Sequence, residues 1–65
     1  MKLETYNILL NAYTQLEQIT SQLYNAADNA VQSGDFDDAS LLQTRADILY
    51  EQLENLDIVI SELEE

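Results

Sequence analysis

The sequence predicts an all-α fold, an antiparallel two-helix hairpin that dimerises into a four-helix bundle. Two observations predict the hairpin. Apolar residues recur at heptad spacing in each half of the chain, and the only glycine, Gly34, lies between the halves. Apolar residues at heptad positions a and d are typical of a helix that packs along a neighbouring helix. A chain of 65 residues has little core of its own, so a second layer of protein is expected.

Helix 1 is predicted to span residues 4–33 of a single domain that covers residues 1–65. One ladder recurs every seven residues and is formed by Leu9, Leu16, Leu23 and Ala30. Placing it at position a gives a second ladder at position d, formed by Ala12, Ile19 and Ala26. This register places Tyr6 and Tyr13 at position e, beside the seam along which the helices pack. The outward residues are mostly Asn, Gln, Ser and Thr, either a solvated face or a surface that hydrogen-bonds across an interface.

The turn is predicted at residues 34–35. Gly34 can adopt the left-handed conformation that ends many helices. Asp35 is a preferred N-cap residue, and Asp38 stands three positions later, where a capping-box acid belongs. Asp37 adds negative charge at the positive end of the next helix dipole. A connection this short predicts antiparallel helices.

Helix 2 is predicted to span residues 36–63. Two ladders, offset by three positions, recur every seven residues and are formed by Ala39, Ala46, Leu53 and Ile60 and by Leu42, Leu49, Leu56 and Leu63. An a/d pattern sustained over this length is the strongest helical signal in the sequence.

Composition argues against catalysis. The chain contains no His, no Cys and no Trp, so it has no disulfide, no thiolate zinc site and no nucleophile paired with a histidine base. One glycine cannot build a glycine-rich phosphate loop. We therefore predict no catalytic, cofactor-binding or metal-binding residues, no cofactor and no enzyme activity.

Charge limits the possible partners. Thirteen acidic residues face only Lys2 and Arg45, which gives a net charge of −11. Such a chain cannot neutralise phosphates, so we expect no direct binding to nucleic acid or to an anionic membrane. No apolar run approaches the roughly 20 residues that span a bilayer, and no secretory signal is visible. We expect a cytoplasmic protein whose partner is a protein with a basic surface or an amphipathic helix.

Two surfaces are left over once the seam is assigned. The predicted apolar stripe consists of Leu10, Tyr24, Val31, Leu41, Ile48, Ile58 and Val59. The predicted acidic face of helix 2 consists of Asp47, Glu51, Glu54, Asp57 and Glu62. A hairpin covers one face of each helix, so the stripe predicts either a second copy in a homodimer or a heterologous helix. Alternatively, the stripe residues are only the wide-faced core of the homodimer.

The stretch from Ser33 to Leu53, SGDFDDASLLQTRADILYEQL, is similar to the helical hairpin of the bacterial flagellar and type III secretion export chaperones. Those are small, often acidic, all-α proteins that mask aggregation-prone helices of secreted subunits. The resemblance implies a helical hairpin and a chaperone role, and it supplies no site residues.

Three hypotheses follow from the sequence. The first is a non-catalytic, acidic protein-binding module that masks or inhibits a protein partner through the apolar stripe. The second is a nucleic-acid mimic of the kind that phages use against defence systems (an anti-CRISPR-like inhibitor), whose acidic helix 2 blocks a basic site. Its carboxylates at Asp47, Glu51 and Glu54 stand roughly 5–6 Å apart along the helix axis. The third is a purely structural adaptor.

Overall fold

A computed structural model describes residues 2–63, and these residues form two helices that pack side by side as a hairpin. Helix α1 covers Leu3–Gln32 and helix α2 covers Phe36–Leu63. The molecule measures 48 × 14 × 12 Å along its principal axes. No strand occurs among residues 2–63, so the predicted helical hairpin is confirmed, with helix ends within one residue of the predicted ones.

The turn ends α1 with a Schellman motif. Gly34 has φ +81°, the left-handed conformation predicted from the sequence. Its amide donates to the carbonyl of Val31 at 3.1 Å, and the amide of Asp35 donates to the carbonyl of Ala30 at 2.8 Å. These two bonds satisfy carbonyls that the helix end would otherwise leave without donors. A side chain at position 34 would meet no atom within 4 Å, so glycine is required there by its backbone conformation alone.

The start of α2 agrees with the sequence in position but not in side-chain chemistry. The carbonyl of Asp35 accepts the first helical bond, from the amide of Ala39 at 2.9 Å, which places Asp35 at the N-cap. Within residues 2–63, however, the side chains of Asp35 and Asp38 make no hydrogen bond, so the predicted capping box is wrong. The carboxylates of Asp37 and Asp38 therefore act on this helix end through charge.

The seam of α2 is the predicted one. Its buried ladder consists of Ala39, Ala46, Leu53 and Ile60. The ladder that flanks it is half-buried and consists of Leu42, Leu49, Leu56 and Leu63. Alanine at two of the four buried positions keeps the side chains between the helices short, which allows their backbones to approach closely.

The seam of α1 differs from the predicted one by one ladder. The ladder of Leu9, Leu16, Leu23 and Ala30 is half-buried, as expected. The ladder that completes the seam consists of Tyr6, Tyr13, Thr20 and Ala27, whereas the predicted ladder was formed by Ala12, Ile19 and Ala26. Thr20 is only 3% exposed, while Ile19 is 48% exposed.

A local hydrogen bond explains how a threonine occupies the seam in place of an isoleucine. The hydroxyl of Thr20 donates to the carbonyl of Leu16 at 2.7 Å, so its polar group is satisfied within its own helix. Apolarity alone favoured Ile19, and this prediction was wrong because it ignored that internal bond. The correction rotates α1 about its axis and moves Ile8 and Ile19 away from the seam.

Candidate binding faces

The observed seam divides the flanks of the hairpin into two opposite sides. Helical periodicity places residues one and four after the buried ladders on one side, and residues one before and two after them on the other. We call the first side the tyrosine face, defined by Tyr13, Tyr24, Tyr50, Glu17, Asp47, Glu54 and Asp57. We call the second side the aliphatic face, defined by Ile8, Ile19, Leu41, Ile48 and Val59.

A hydrogen bond between the helices organises the tyrosine face. The hydroxyl of Tyr24 on α1 donates to Oδ1 of Asp47 on α2 at 2.5 Å. This bond raises the pKa of Tyr24 to about 12, because the carboxylate accepts the phenolic proton, and partial burial and the charge of Asp47 add to the effect. One of the predicted partner-binding acids is therefore already engaged within the hairpin.

A second groove on the same face brings acids of both helices together. It is lined by Tyr13, Glu17, Tyr50, Leu53, Glu54 and Asp57. Partial desolvation raises the pKa of the Tyr13 phenol, and the negative charges of Asp57 and Glu17 raise it further. Glu17 was not among the predicted acidic residues, because helix 2 alone was expected to supply them.

The aliphatic face is exposed and nearly free of charge. Its side chains range from 39% exposed at Val59 to 61% exposed at Ile8. Among residues 2–63, the only charged residues at its heptad positions are Asp38, Arg45 and Glu62. Uncharged amides are interleaved with its aliphatic side chains, namely Gln15, Gln22, Asn29, Gln52 and Asn55. A surface of this composition is typical of one that another protein layer covers.

The structure does not bring the predicted apolar stripe together on one surface. Leu10, Tyr24 and Val31 lie on the side of the tyrosine face, whereas Leu41, Ile48 and Val59 lie on the aliphatic face. Ile58 points outward between them and is 57% exposed. The stripe is divided because Leu10, Tyr24 and Val31 flank one edge of the seam and Leu41, Ile48 and Val59 flank the other, in the predicted register of α1 as well as in the observed one. The observed register adds exposed Ile8 and Ile19 to the aliphatic face, and neither was among the predicted residues.

The residues of the predicted acidic face, all on α2, also lie on different surfaces of the hairpin. Asp47, Glu54 and Asp57 belong to the tyrosine face, Glu51 lies on the outer surface of α2, and Glu62 lies on the side of the aliphatic face. Among residues 2–63, no three acidic side chains are grouped so that they could hold a metal ion. Carboxylates such as those of the tyrosine face can accept charge-assisted hydrogen bonds from basic groups.

The turn end carries one further apolar feature that the sequence analysis did not single out. Phe36 is 67% exposed and lines an open groove with Val31 and Ala39, on the same side as the tyrosine face. The available signal was its position directly after the N-cap, because a residue there precedes the first buried residue of α2 and does not pack between the helices. This groove extends the tyrosine face towards the turn.

Two further findings bear on function. In the part of the chain that the structure describes, neither helix is long and apolar enough to cross a membrane. Comparison with protein-family models, with curated proteins and with solved structures finds no match to this chain.

Proposed function

We propose that this chain is a non-catalytic protein-binding module whose aliphatic face covers an apolar surface of a protein partner and thereby masks or inhibits it. The observation that carries the proposal is the contrast between seam and surface. Among residues 2–63, the seam buries three alanines and one threonine, with Leu53 and Ile60 as its only buried large side chains, whereas all five aliphatic residues of the aliphatic face remain exposed. The occupant of the face is an amphipathic helix or a second copy of the chain.

Burial energies explain why the aliphatic face matters to a molecule of this size. Full burial of a valine, leucine or isoleucine side chain contributes about 1.5–3 kcal/mol. A small domain has only about 5–15 kcal/mol of stability in total. Ile19, Leu41 and Ile48 are 48%, 57% and 43% exposed, so a partner that covers all three would supply about 2–4 kcal/mol, a sizeable fraction of that total.

The distribution of charge supports a masking role of the chaperone or antagonist type. The net charge of −11 is carried mainly by the tyrosine face and the outer surfaces, away from the aliphatic face. A partner bound to the aliphatic face would gain a strongly acidic coat, and high net charge keeps proteins soluble and apart. A cytoplasmic location remains part of this proposal.

The test compares two isoleucine substitutions on the same helix. Tagged wild-type chain, Ile48→Asp and Ile58→Asp would each be incubated with extract of the source cell to which untagged wild-type chain has been added. The proposal predicts that a protein, either the untagged chain or another one, is retained by wild type and by Ile58→Asp and is lost with Ile48→Asp. Equal retention by all three chains, or retention by none, would refute it.

A second candidate function, mimicry of nucleic acid, rests on the tyrosine face. Glu17 of α1 joins Glu54 and Asp57 of α2 around one groove, so that negative charge extends across both helices. A basic nucleic-acid-binding site is complementary to such a surface. In that case, Glu54→Gln combined with Asp57→Asn would weaken partner binding, and Ile48→Asp would leave it unchanged. The opposite pattern supports the aliphatic face.

A further inference from the structure

The accessible area of the hairpin is larger than its mass requires. The chain exposes 4907 Å². A compact monomer of 7.4 kDa is expected to expose about 4,200 Å². The excess of roughly 700 Å² is close to the share that each partner contributes to a standard protein–protein interface, about 800 Å². The elongated hairpin, 48 × 14 × 12 Å, therefore exposes roughly as much extra surface as one partner buries in a standard interface.

Repulsion between acidic residues disfavours packing of a second copy on the tyrosine face and leaves the aliphatic face as the side where two copies can meet. Five acids lie at the heptad positions of the tyrosine face and its margin, Glu17, Asp28, Asp47, Glu54 and Asp57. On the aliphatic side, Arg45 offsets one of the two acids, Asp38 and Glu62, which leaves a net charge of −1. Two chains that each carry −11 repel one another, and contact through the aliphatic face keeps most of that charge apart.

The apolar positions of α2 on this face are arranged symmetrically about the middle of the helix. Leu41 lies five residues after Phe36, and Val59 lies four residues before Leu63. Ile48 lies near the midpoint. A two-fold axis that crosses the face at mid-length brings Leu41 of one copy level with Val59 of the other, because the helix rises about 1.5 Å per residue. On α1 the same axis crosses near Thr20, which lies level with Tyr50, and brings Ile8 level with the C-terminal end of the other α1.

We propose that the occupant of the aliphatic face is a second copy of this chain, with the two hairpins packed face to face and their long axes antiparallel. This inference rests on the proposed function: in the isolated chain, the second copy covers the surface that a heterologous partner would otherwise cover. In the resulting four-helix bundle, each α2 packs along the α2 of the other copy, and each α1 along the other α1. The tyrosine faces remain on the outside.

The first test is sedimentation equilibrium of the full chain. We expect a mass of twice 7.4 kDa for wild type and for Ile58→Asp. Ile48→Asp should raise the dissociation constant by roughly 100-fold, because a symmetric dimer carries the central substitution twice. A wild-type monomer would overturn the inference. The proposed function would remain supported if the monomeric wild type binds a heterologous protein and the Ile48→Asp substitution abolishes that binding.

The second test does not depend on the folding of an aspartate variant. The chain contains no cysteine, so introduced thiols are the only ones present. The double variant Leu41→Cys with Val59→Cys should form disulfide-linked dimers on mild oxidation. The matched pair Thr44→Cys with Ile58→Cys, on the outer surface of α2, should remain monomeric on a denaturing gel. Equal crosslinking of the two pairs, or none in the first, would overturn the antiparallel face-to-face arrangement.

Discussion

The two sides of this hairpin share one seam but differ in chemistry. The tyrosine face combines phenols with carboxylates, and the hydrogen bond between Tyr24 and Asp47 connects its two helices. In the described part of the chain, the five residues that define the aliphatic face make no hydrogen bond between the helices, and this face presents exposed isoleucine, leucine and valine instead. The difference shows that a strongly acidic chain can reserve one side for apolar contact by placing its charges on the other sides.

The contrast also separates two kinds of binding. Contact through the tyrosine face would depend on charge and on the ionisation of its groups, so salt weakens it. Contact through the aliphatic face depends on the removal of apolar surface from water, and salt weakens only the repulsion between acidic partners.

The largest effect is expected from the seam. Leu53→Ala removes a side chain that is buried between the helices and lies beneath the tyrosine face. A buried leucine replaced by alanine costs about 2–5 kcal/mol, so both faces should be lost as the hairpin unfolds. Ile58→Ala, on the outer surface, should change the free energy of unfolding by less than about 0.5 kcal/mol. Urea titration followed by circular dichroism measures both. Equal destabilisation by the two variants would contradict the seam described here.

A smaller effect is expected at the turn that aligns the two faces. Gly34→Ala places a β-carbon on a residue with φ +81°, and no neighbouring atom blocks it. The cost is the left-handed backbone conformation alone, about 1–2 kcal/mol. Gly34→Asn should cost less than Gly34→Ala, because asparagine tolerates this conformation better. Thermal unfolding of the three chains measures the order, and an unchanged stability of Gly34→Ala would show that the turn is not held in this conformation.

Salt should affect the two faces in opposite directions. Raising the ionic strength from 0.1 M to 1 M shortens the Debye length from about 10 Å to about 3 Å. Self-association through the aliphatic face should strengthen, since repulsion between two chains of charge −11 is screened. Binding of a basic peptide to the tyrosine face should weaken. Sedimentation and fluorescence anisotropy measure the two. Self-association that weakens with salt would place the contact on a charged surface.

The smallest effect concerns the ionisation of Tyr24. Its pKa is raised from 10.0 to about 12, so the stabilisation from its bond to Asp47 is complete below pH 10 and is lost as the pH rises through 12. Asp47→Asn should lower the pKa of Tyr24 towards its ordinary value, and Glu54→Gln should leave it in place. Titration of phenolate absorbance, with Tyr24→Phe to assign the signal, measures this shift. A Tyr24 pKa that Asp47→Asn does not lower would disprove the bond.

The seam of α2 was predictable from the sequence, while that of α1 was only partly so. In α2 both ladders consist of leucine, isoleucine and alanine, and no competing ladder exists beside them. In α1 the ladder of Leu9 and Leu16 is flanked by two candidates, and the more apolar one, with Ile19, lies outside the seam. Spacing alone cannot decide between flanking ladders, because the choice depends on contacts across the hairpin and on the internal bond of Thr20.

The residues of the candidate faces were only partly predictable for the same reason. The residues of α2 on the aliphatic face, Leu41, Ile48 and Val59, were identified from the sequence as surplus apolar residues. Their neighbours Ile8 and Ile19 on α1 were not included, because Ile19 was assigned to the seam and Ile8 to no surface. The bond between Tyr24 and Asp47 could not be predicted either, since it joins residues far apart in the sequence and depends on the relative rotation of the two helices.

The most direct test of the central claim, that protein covers the aliphatic face, compares isoleucine methyl groups in the wild-type chain. A soluble paramagnetic agent broadens the NMR signals of methyl groups that it can reach. In the hairpin alone, Ile48 is 43% exposed and Ile58 is 57% exposed, so both would broaden, while Ile60, at 6%, would not. We predict that Ile19 and Ile48 are protected like Ile60 and that only Ile58 broadens strongly. Similar broadening of Ile48 and Ile58, at concentrations where the chain is folded, would contradict the account.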